Sequence, residues 1–580
     1  MRWALMACGL CFPLQLALAQ DTTSTLPKSA PLPANSVLCT GQKISDIIVL
    51  TQPPYTSRLP GDLEIFRRIV RKLHTNTRDI VIRRYLLLNV GDPCDEVRRA
   101  ESERIMRAQP FLVDARVLAF ADGHGGVRLE VTTRDEFSLL VEPTVALKSP
   151  NLRALRLGES NFGGNAMYAA ANWRDGGAYR DEFGIRFEDY QFLGERNVFR
   201  LHINRLSQGH DFAFEALRPY VTDLQHVAWR AKVGGTRNYE DLVRPELDDN
   251  AIGVTREFED VGAVGRIGTI GHLKLLGLSL SRELVTIDDH TVLVTDSGYQ
   301  TDKTAPPSTQ FRNLDVTRVN ALIGIRGLRF TRVNGFDALN GVQDIRVGLQ
   351  AGMLFGRSMG ILGAKDEDAF FLGDVYAGYG NLHSFLGFQT LSEARRDRLR
   401  NEWTGVLTSG RLAWYLKPAA KQLTLTEILW STGYNVQVPF QLSFGDWDGG
   451  LHGFSRSSVP GAHRVVFRAE QRALIPSRYN IADFGAAVFV EAGKLWAANV
   501  PYAVTSPVRG SVGFSILAAV PPKSRRLWRV DFAMPVGADP DSKFEIRITN
   551  EDRTRAFYTD PVDVRRARER AVPTSLFSWP

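Results

Sequence analysis

From about Phe137 onward, apolar residues alternate with polar or small ones in runs of roughly ten. TVALKS, AMYAAANW, EFGIRFEDY, VFRLHINRL, DFAFEALRPY and HVAWRAKVG are early runs; VVFRAEQRAL, FGAAVFVEAG, VGFSILAAV, WRVDFAMPV and FEIRITN close the series. Period two sends successive side chains to opposite faces of a strand. Turns rich in Gly, Asp, Asn and Arg separate the runs, and none is long enough to be a membrane helix. Eighteen to twenty strand-like runs can be marked between 137 and 550. Counting some as loop hairpins or halves of one long strand, a stretch of that length suits sixteen strands with several long outer loops.

Two architectures share this pattern. A soluble sandwich buries the apolar face, whereas a membrane barrel turns it to lipid and closes so that no backbone group is unpaired in hydrocarbon. The array runs without a break that could end a sandwich domain. Aromatic residues recur near run ends, at Trp173, Tyr190, Trp229, Tyr379, Trp414, Trp430 and Trp496, as an interfacial girdle requires. The expectation is a transmembrane antiparallel β-barrel over 137–550, with lipid as its first partner.

Before the barrel the period changes. KISDIIVL (43–50) predicts a strand. Asp62 stands at a helix N-cap ahead of Leu63, Phe66, Ile69, Val70 and Leu73, which share one helical face. A second capped helix starts at Asp95, with Val97, Ala100, Ile105 and Ala108 inward, and FLVDARVLAF and GVRLEVTTR follow as strands joined by ADGHGG. The order strand–helix–helix–strand–strand predicts a small α+β domain over 44–136.

The remaining segments are short. Residues 1–19 carry Arg2, an apolar stretch and Ala17-Leu18-Ala19, a secretory signal peptide with a small-x-small cleavage site. Residues 20–43 are polar and proline-rich and read as a linker. Cys8 and Cys11 leave with the signal. Cys39 and Cys94 then form an even pair in an oxidising compartment, and one disulfide is the expectation. Neither cysteine has a second ligand at finger spacing, so no metal site is expected. Formal charge is +7, or +6 once Arg2 is removed, but the charges are interspersed and the destination is secretory, which excludes nucleic acid. The basic run Arg565-Arg566-Ala567-Arg568-Glu569-Arg570, in the tail 551–580, reads as a solvated face or a disordered end.

One stretch departs from the alternation: GDWDGGLHGFSRSS (445–458) keeps Leu451 and Phe454 on either side of His452-Gly453 in an otherwise loop-like composition. Here the chain resembles the outer-membrane assembly and secretion barrels of the BamA/TamA kind, the bacterial surface antigen family. YLLLNVGDPCDEVRRAESERIMRAQPFLVDARVLAF (85–120) looks like a POTRA domain, with Gly91-Asp92-Pro93 leading into the second helix and Pro110–Ala115 stepping into the next strand. RLGESNFGGNAMYAAANW is similar to the family's second and third barrel strands, joined by an Asn-x-x-Gly turn. VVFRAEQRALIP and AAVFVEAGKLW look like its twelfth and thirteenth strands.

The resemblance implies that the sixth outer loop folds back into the lumen. Its tip would be Leu451-His452-Gly453-Phe454, where the family carries Val/Ile-Arg-Gly-Phe. The acids matching the family's tip contacts are Glu470 and Glu491, the second in place of an aspartate, and Arg456 could supply the permanent charge that His452 lacks. The resemblance further implies a POTRA domain in the periplasm, a barrel in the bacterial outer membrane, a seam joining roughly 137–148 to 544–550, and insertion or secretion of unfolded client β-strands by β-augmentation, with periplasmic chaperones as possible helpers. A single POTRA argues for an accessory insertase or a dedicated secretion pore. No G-x-S-x-G, zinc-protease helix or phosphate loop occurs, so neither an enzyme nor a cofactor is expected. The competing expectation is a passive channel or surface-exposed structural barrel.

Overall fold

The computed structural model describes residues 35–55, 63–146, 151–176, 180–244, 250–295, 298–302, 311–446, 448–454, 459–476, 481–537, 543–551 and 556–572. The expected signal peptide, Asp62 and Arg456 lie outside them.

The N-terminal unit is a four-stranded sheet in the order β2-β1-β4-β3, built from β1 (Thr40–Gln52), β2 (Pro93–Asp95), β3 (Leu112–Ala121) and β4 (Val127–Asp135). β1 runs parallel to β4, and β3 pairs antiparallel with β4 across the turn at ADGHGG. Two helices pack with it, α2 (Asp79–Tyr85) and α3 (Glu96–Arg107), and α1 (Leu63–Leu73) precedes them. Asp95 caps α3, accepting a 2.8 Å hydrogen bond from the backbone N of Arg98. Ile105 is buried as expected, but Val97 is exposed, so the inward face of α3 is rotated from the one its apolar residues suggested. α2 is an additional helix; DIVIRRY is too short for its period to show. β1 begins inside the stretch read as linker, and Cys39 lies bonded to Cys94 just ahead of it, with Cα atoms 4.8 Å apart.

The rest of the chain is one closed antiparallel ring. Its first strands are β5 (Leu139–Ala146), β6 (Asn151–Glu159), β7 (Met167–Arg174), β8 (Glu182–Phe192), β9 (Asn197–Arg205) and β10 (His210–Arg218). Longer ones follow: β11 (Val227–Leu242), β12 (Asn250–Thr269), β13 (His272–Thr295), β15 (Leu314–Asn334), β16 (Val342–Ser358), β17 (Asp368–Gly380), β18 (Ser384–Asp397), β19 (Glu402–Ala419) and β20 (Gln422–Tyr434), with the short β14 (Gly298–Thr301) folded back on the end of β13. β21 (His463–Ile475), β22 (Asp483–Trp496), β23 (Arg509–Ala519), β24 (Leu527–Val536) and β25 (Glu545–Glu551) return to β5.

Because β13 pairs directly with β15, the ring has twenty strands among the described residues, not sixteen. The full tally of alternating runs was the better guide: nearly every run is a complete strand. VVFRAEQRAL and FGAAVFVEAG therefore stand sixteenth and seventeenth in the ring, and the loop before them is the eighth outer loop, not the sixth. The additional strands precede it, in the middle of the chain.

The alternation is inside-out. On β23, Val512, Phe514 and Ile516 are about half exposed on the outer face, while Ser511 and Ser515 are buried within. On β22 the same split puts Val488 and Val490 outside and Glu491 inside. On β13 the apolar outer positions are Leu276, Leu278 and Leu280, and the strand then continues well past them with polar outer residues. A tilted strand needs only about 9–11 residues to cross hydrocarbon, so β12 and β13 extend beyond any such band.

The tight turns lie at one end of the ring, and there the small domain sits. Asn161, in the Asn-x-x-Gly turn between β6 and β7, donates to Thr77 Oγ1 (2.8 Å), and Arg78 N donates to the carbonyl of Gly164 (3.0 Å). Gly164 has φ +72°, and a Cβ there would stand 2.3 Å from the Asn76 carbonyl, so only glycine fits. Arg107 forms a bidentate pair with Asp344 (2.9 and 2.8 Å), and Arg525 donates to the α3 end at Gln109 O (2.5 Å) and Leu112 O (3.1 Å). A buried junction of His74, Asp135 and Ser138 links the domain to the start of β5. The domain is thereby a cap over one mouth of the barrel.

Labelling thiols in the denatured, unreduced, processed chain should find none free; full labelling of Cys39 and Cys94 would refute the bond. Closing a loop of this length constrains the unfolded chain by up to about 4 kcal/mol, so Cys39→Ser should lower the small domain's stability by about 2–4 kcal/mol in denaturant titration.

Candidate functional site: the loop lock in the lumen

The outer loop between β20 and β21 turns inward. Asp446 starts the turn, its carboxylate accepting from the backbone N of Asp448 (2.9 Å) and Gly449 (2.8 Å). Leu451 N then donates to the Phe444 carbonyl (2.9 Å), which folds the tip back on its own stem. Leu451 and Phe454 are fully buried, in one cluster with Phe444, Val466 and Leu495. Phe444 and Phe454 lie 6.0 Å apart, with the Arg509 guanidinium near both rings. That is why a loop of polar composition keeps two large apolar residues: its tip is core. Gly453 between them has φ +84°, and a Cβ there would stand 2.6 Å from Pro535.

His452 carries the polar contacts. Its Nδ1 is 3.0 Å from Glu491 Oε2, its backbone N donates to the same oxygen (3.1 Å), and its Nε2 is 3.5 Å from Asp531 Oδ2. Gly453 N donates to Glu545 on β25. Glu491 also accepts from Ser511 Oγ (2.9 Å) and pairs with Arg468 (2.8 Å), whose other arm donates to the Gly450 carbonyl (2.6 Å). Arg468 and Glu491 are directly opposed on β21 and β22, and Ser511 is opposed to Glu491 on β23. The pleat that alternates inside and outside thus sets the acid, its base and its hydroxyl in one row facing the loop.

Glu470 is placed differently from its expectation. It points into the lumen but is held by Arg472 (2.8 Å) and Arg529 (2.5 Å), with no contact to His452 among the described residues. Arg529 passes the connection on to Asp531 (2.6 Å). The second acid facing His452 is therefore Asp531 on β24, two strands beyond Glu491. Sequence reasoning missed it because its attention stayed on β21 and β22; the signal was WRVDFAMPV, where Asp531 sits in an inward position. A cavity of ≈ 80 Å³ beside the lock is bordered by His452, Glu491, Arg468, Glu470, Arg529 and Asp531.

Burial lowers the affinity of His452 for its proton, but Glu491 and Asp531 outweigh burial and hold the imidazole above its ordinary value near 6.5. Arg547 on β25 is the cation that opposes it, and Arg468 on β21 shares Glu491 with the ring. A raised histidine contributes fully below its ordinary value and loses that contribution as pH rises through the raised one.

The opposite wall of the lumen is also occupied. Residues 556–572 enter from the capped mouth, rise to α4 (Val562–Ala567) beside the inward loop, and turn back along β11–β18. Val564, Ala567, Ala571 and Val572 are buried, as are Arg568 and Glu569. The basic run is thus divided: Arg565 and Arg566 are exposed, as a solvated face would be, whereas Arg568 and Glu569 are buried against the wall. Inside a barrel the polar face points to a filled interior, so charges there meet partners as well as water.

These features define a class: a closed antiparallel β-barrel, filled by its own loop and C-terminal segment and capped by a small α+β domain. No protein-family model and no curated protein matches the chain. Among solved structures it is similar to BamA from Haemophilus ducreyi lacking POTRA domains 1–3, at 13% identity and TM-score 0.37 over 87% of this chain and 85% of that one. It is also similar to CdiB from Escherichia coli (10%, 0.37, 90% and 92%) and CdiB from Acinetobacter baumannii (10%, 0.39, 88% and 74%). Likenesses at such scores carry no argument here, and the reading below stands on the chain's own geometry.

Glu491→Lys should release the loop more than His452→Ala, because it sets like charge against Arg468; losing one partner of a buried pair costs about 3–5 kcal/mol. His452→Arg should be tolerated, and Gly453→Ala should not. Protease nicking of 445–460 reads each variant, and in the unchanged chain it should increase as pH is raised past neutral, a dependence His452→Arg should remove. Unchanged nicking in Glu491→Lys would show that the loop is not held there.

Proposed function

We propose that this chain is an outer-membrane barrel of the BamA/TamA kind that assists insertion or secretion of client proteins through a lateral seam, with its small domain a periplasmic POTRA. One observation carries the reading. The wall is lowest where the ring closes: β25 has seven residues and β5 eight, against 24 in β13. A strand pair is held by its ladder, and two strands this short part more readily than the long strands of the middle of the ring. Parting it offers unpaired N–H and C=O groups to an incoming strand. Across this seam Asn550 reaches Glu142 at 3.4 Å.

The filled lumen supports the same reading against a passive channel. A porin conducts through an open interior, whereas here an inward loop, a tail and a cap stand in the way. Lateral passage needs no open lumen. The work proposed is mechanical, an exchange of backbone hydrogen bonds with no bond chemistry, cofactor or metal. Its partners would be lipid on the outer face, unfolded β-strands at the seam, and periplasmic chaperones delivering them to the cap.

A photo-crosslinking residue in place of Ile548 or Val141, both about half exposed on the outer faces of the seam strands, tests this. In growing cells these positions should capture other outer-membrane proteins during their assembly, while Val512 on β23 should not. Equal capture at all three would end the seam reading, and steady ion conductance from the purified chain would favour the channel.

A further inference from the structure

The segment 556–572 is seated in the lumen by contacts that divide into two kinds. Some read its backbone. Arg411 donates to the Phe557 carbonyl (2.8 Å), Arg256 to the Arg568 carbonyl (3.0 Å) and Arg230 to the Val572 carbonyl (2.9 Å). Glu283 accepts from the backbone N of Arg570 (2.8 Å) and Ala571 (3.3 Å). Such contacts are indifferent to side chains. Others are specific: Glu569 lies between Arg318 and Arg395, the latter at 2.8 Å, with its side chain almost wholly buried. Arg568, paired with Asp560 of the same segment (2.5 Å), donates to Ser409 Oγ (2.7 Å), and Asp563 pairs with Arg464 (2.6 Å).

From this geometry we infer that the inner wall of β11–β19 is a binding groove for an extended polypeptide bearing a carboxylate, and that residues 556–572 occupy it in cis as a displaceable plug. Three features carry this. The donors and acceptors that meet the main chain come from four strands, β11, β12, β13 and β19, and beside 568–572 they would serve any extended chain. The two guanidinium groups at Glu569 set a position where a carboxylate is required. Removal of the segment is costly unless another acid replaces it, because Arg395 is buried and loses this carboxylate, and Arg318 is left with its Asp368 pair alone among the described residues.

The plug is also tied to the loop lock. Asp446, which starts the inward turn, accepts from the backbone N of Asp563 (3.1 Å), and Val564 and Ala567 lie in the same apolar cluster as Leu451 and Phe454. A client segment that displaces the tail therefore loosens the loop, and loss of the loop removes one side of the plug's seat. The inference rests on the barrel reading proposed above for its setting, although the groove itself does not need a membrane to be tested.

The test uses the full chain with Ala571→Cys as reporter, since Ala571 is fully buried and the native cysteines of the processed chain are bonded to each other. In detergent, an impermeant maleimide should label Ala571→Cys slowly, and at least tenfold faster once Glu569→Arg is added. A synthetic peptide of residues 560–572, added to the Ala571→Cys chain, should displace the tail and speed that labelling, while the same peptide carrying Glu569→Lys should not. In planar bilayers Glu569→Arg should raise the open fraction at least tenfold, and the charge exchange Arg318→Glu with Glu569→Arg should bring it back. Each variant is first checked for heat-modifiable migration on a gel; if Glu569→Arg fails it, Arg395→Gln takes its place with the same expectations. Fast labelling of Ala571→Cys alone, or equal labelling in both backgrounds, would overturn the plug. Failure of the peptide to speed labelling would overturn the groove. A labelling difference without any channel in bilayers would leave the groove standing and count against the membrane reading.

Discussion

A strand that crosses hydrocarbon must show its apolar side outward, and in a ring this leaves every other residue facing in. The interior of this protein is consequently built from groups that a globular core would avoid. Arg318, Arg326 and Arg464 are among its largest fully buried side chains. A buried guanidinium is tolerable only when its donors are met and its charge is opposed. Much else in the structure follows from that demand. The inward loop brings His452 and backbone N–H groups to acids on β22, β24 and β25; the tail brings Glu569 and Asp563 to arginines on β15, β18 and β21.

The same demand shapes the cap. Arg525 and Arg107 reach across from turn to helix and from helix to strand, so charge-assisted contacts join the mouth beside an apolar one. Where apolar contact does occur, as at Tyr85, Phe111 and Tyr190, it joins domain and barrel in one cluster.

The parts of this architecture that were legible in sequence are those with a local cause. Period two shows strands wherever one face is greasy, and Asp95 marks a helix start because its carboxylate caps the next turn; the inward tip at Leu451–Phe454 was legible only through the family resemblance. The parts that were not legible depend on closure. Whether adjacent runs are one strand or two is decided by pairing, and so the ring holds twenty strands where sixteen were expected. That Asp531 and not Glu470 faces His452 depends on how β24 lies relative to the loop, which no local pattern records. The tail was misread in part, for a deeper reason: Arg565–Arg570 is written in the composition of a solvent-exposed segment, and a polar lumen accepts that composition as readily as water does.

The tail and the cap share one doorway. β25 ends at the mouth over which the small domain sits, and Phe557, a few residues later, borders a cavity lined also by Arg104, Arg107 and Arg525 of that contact. The domain that covers the mouth therefore also borders the tail's place in the lumen, so a displacement of the cap changes the surroundings of Phe557 as well.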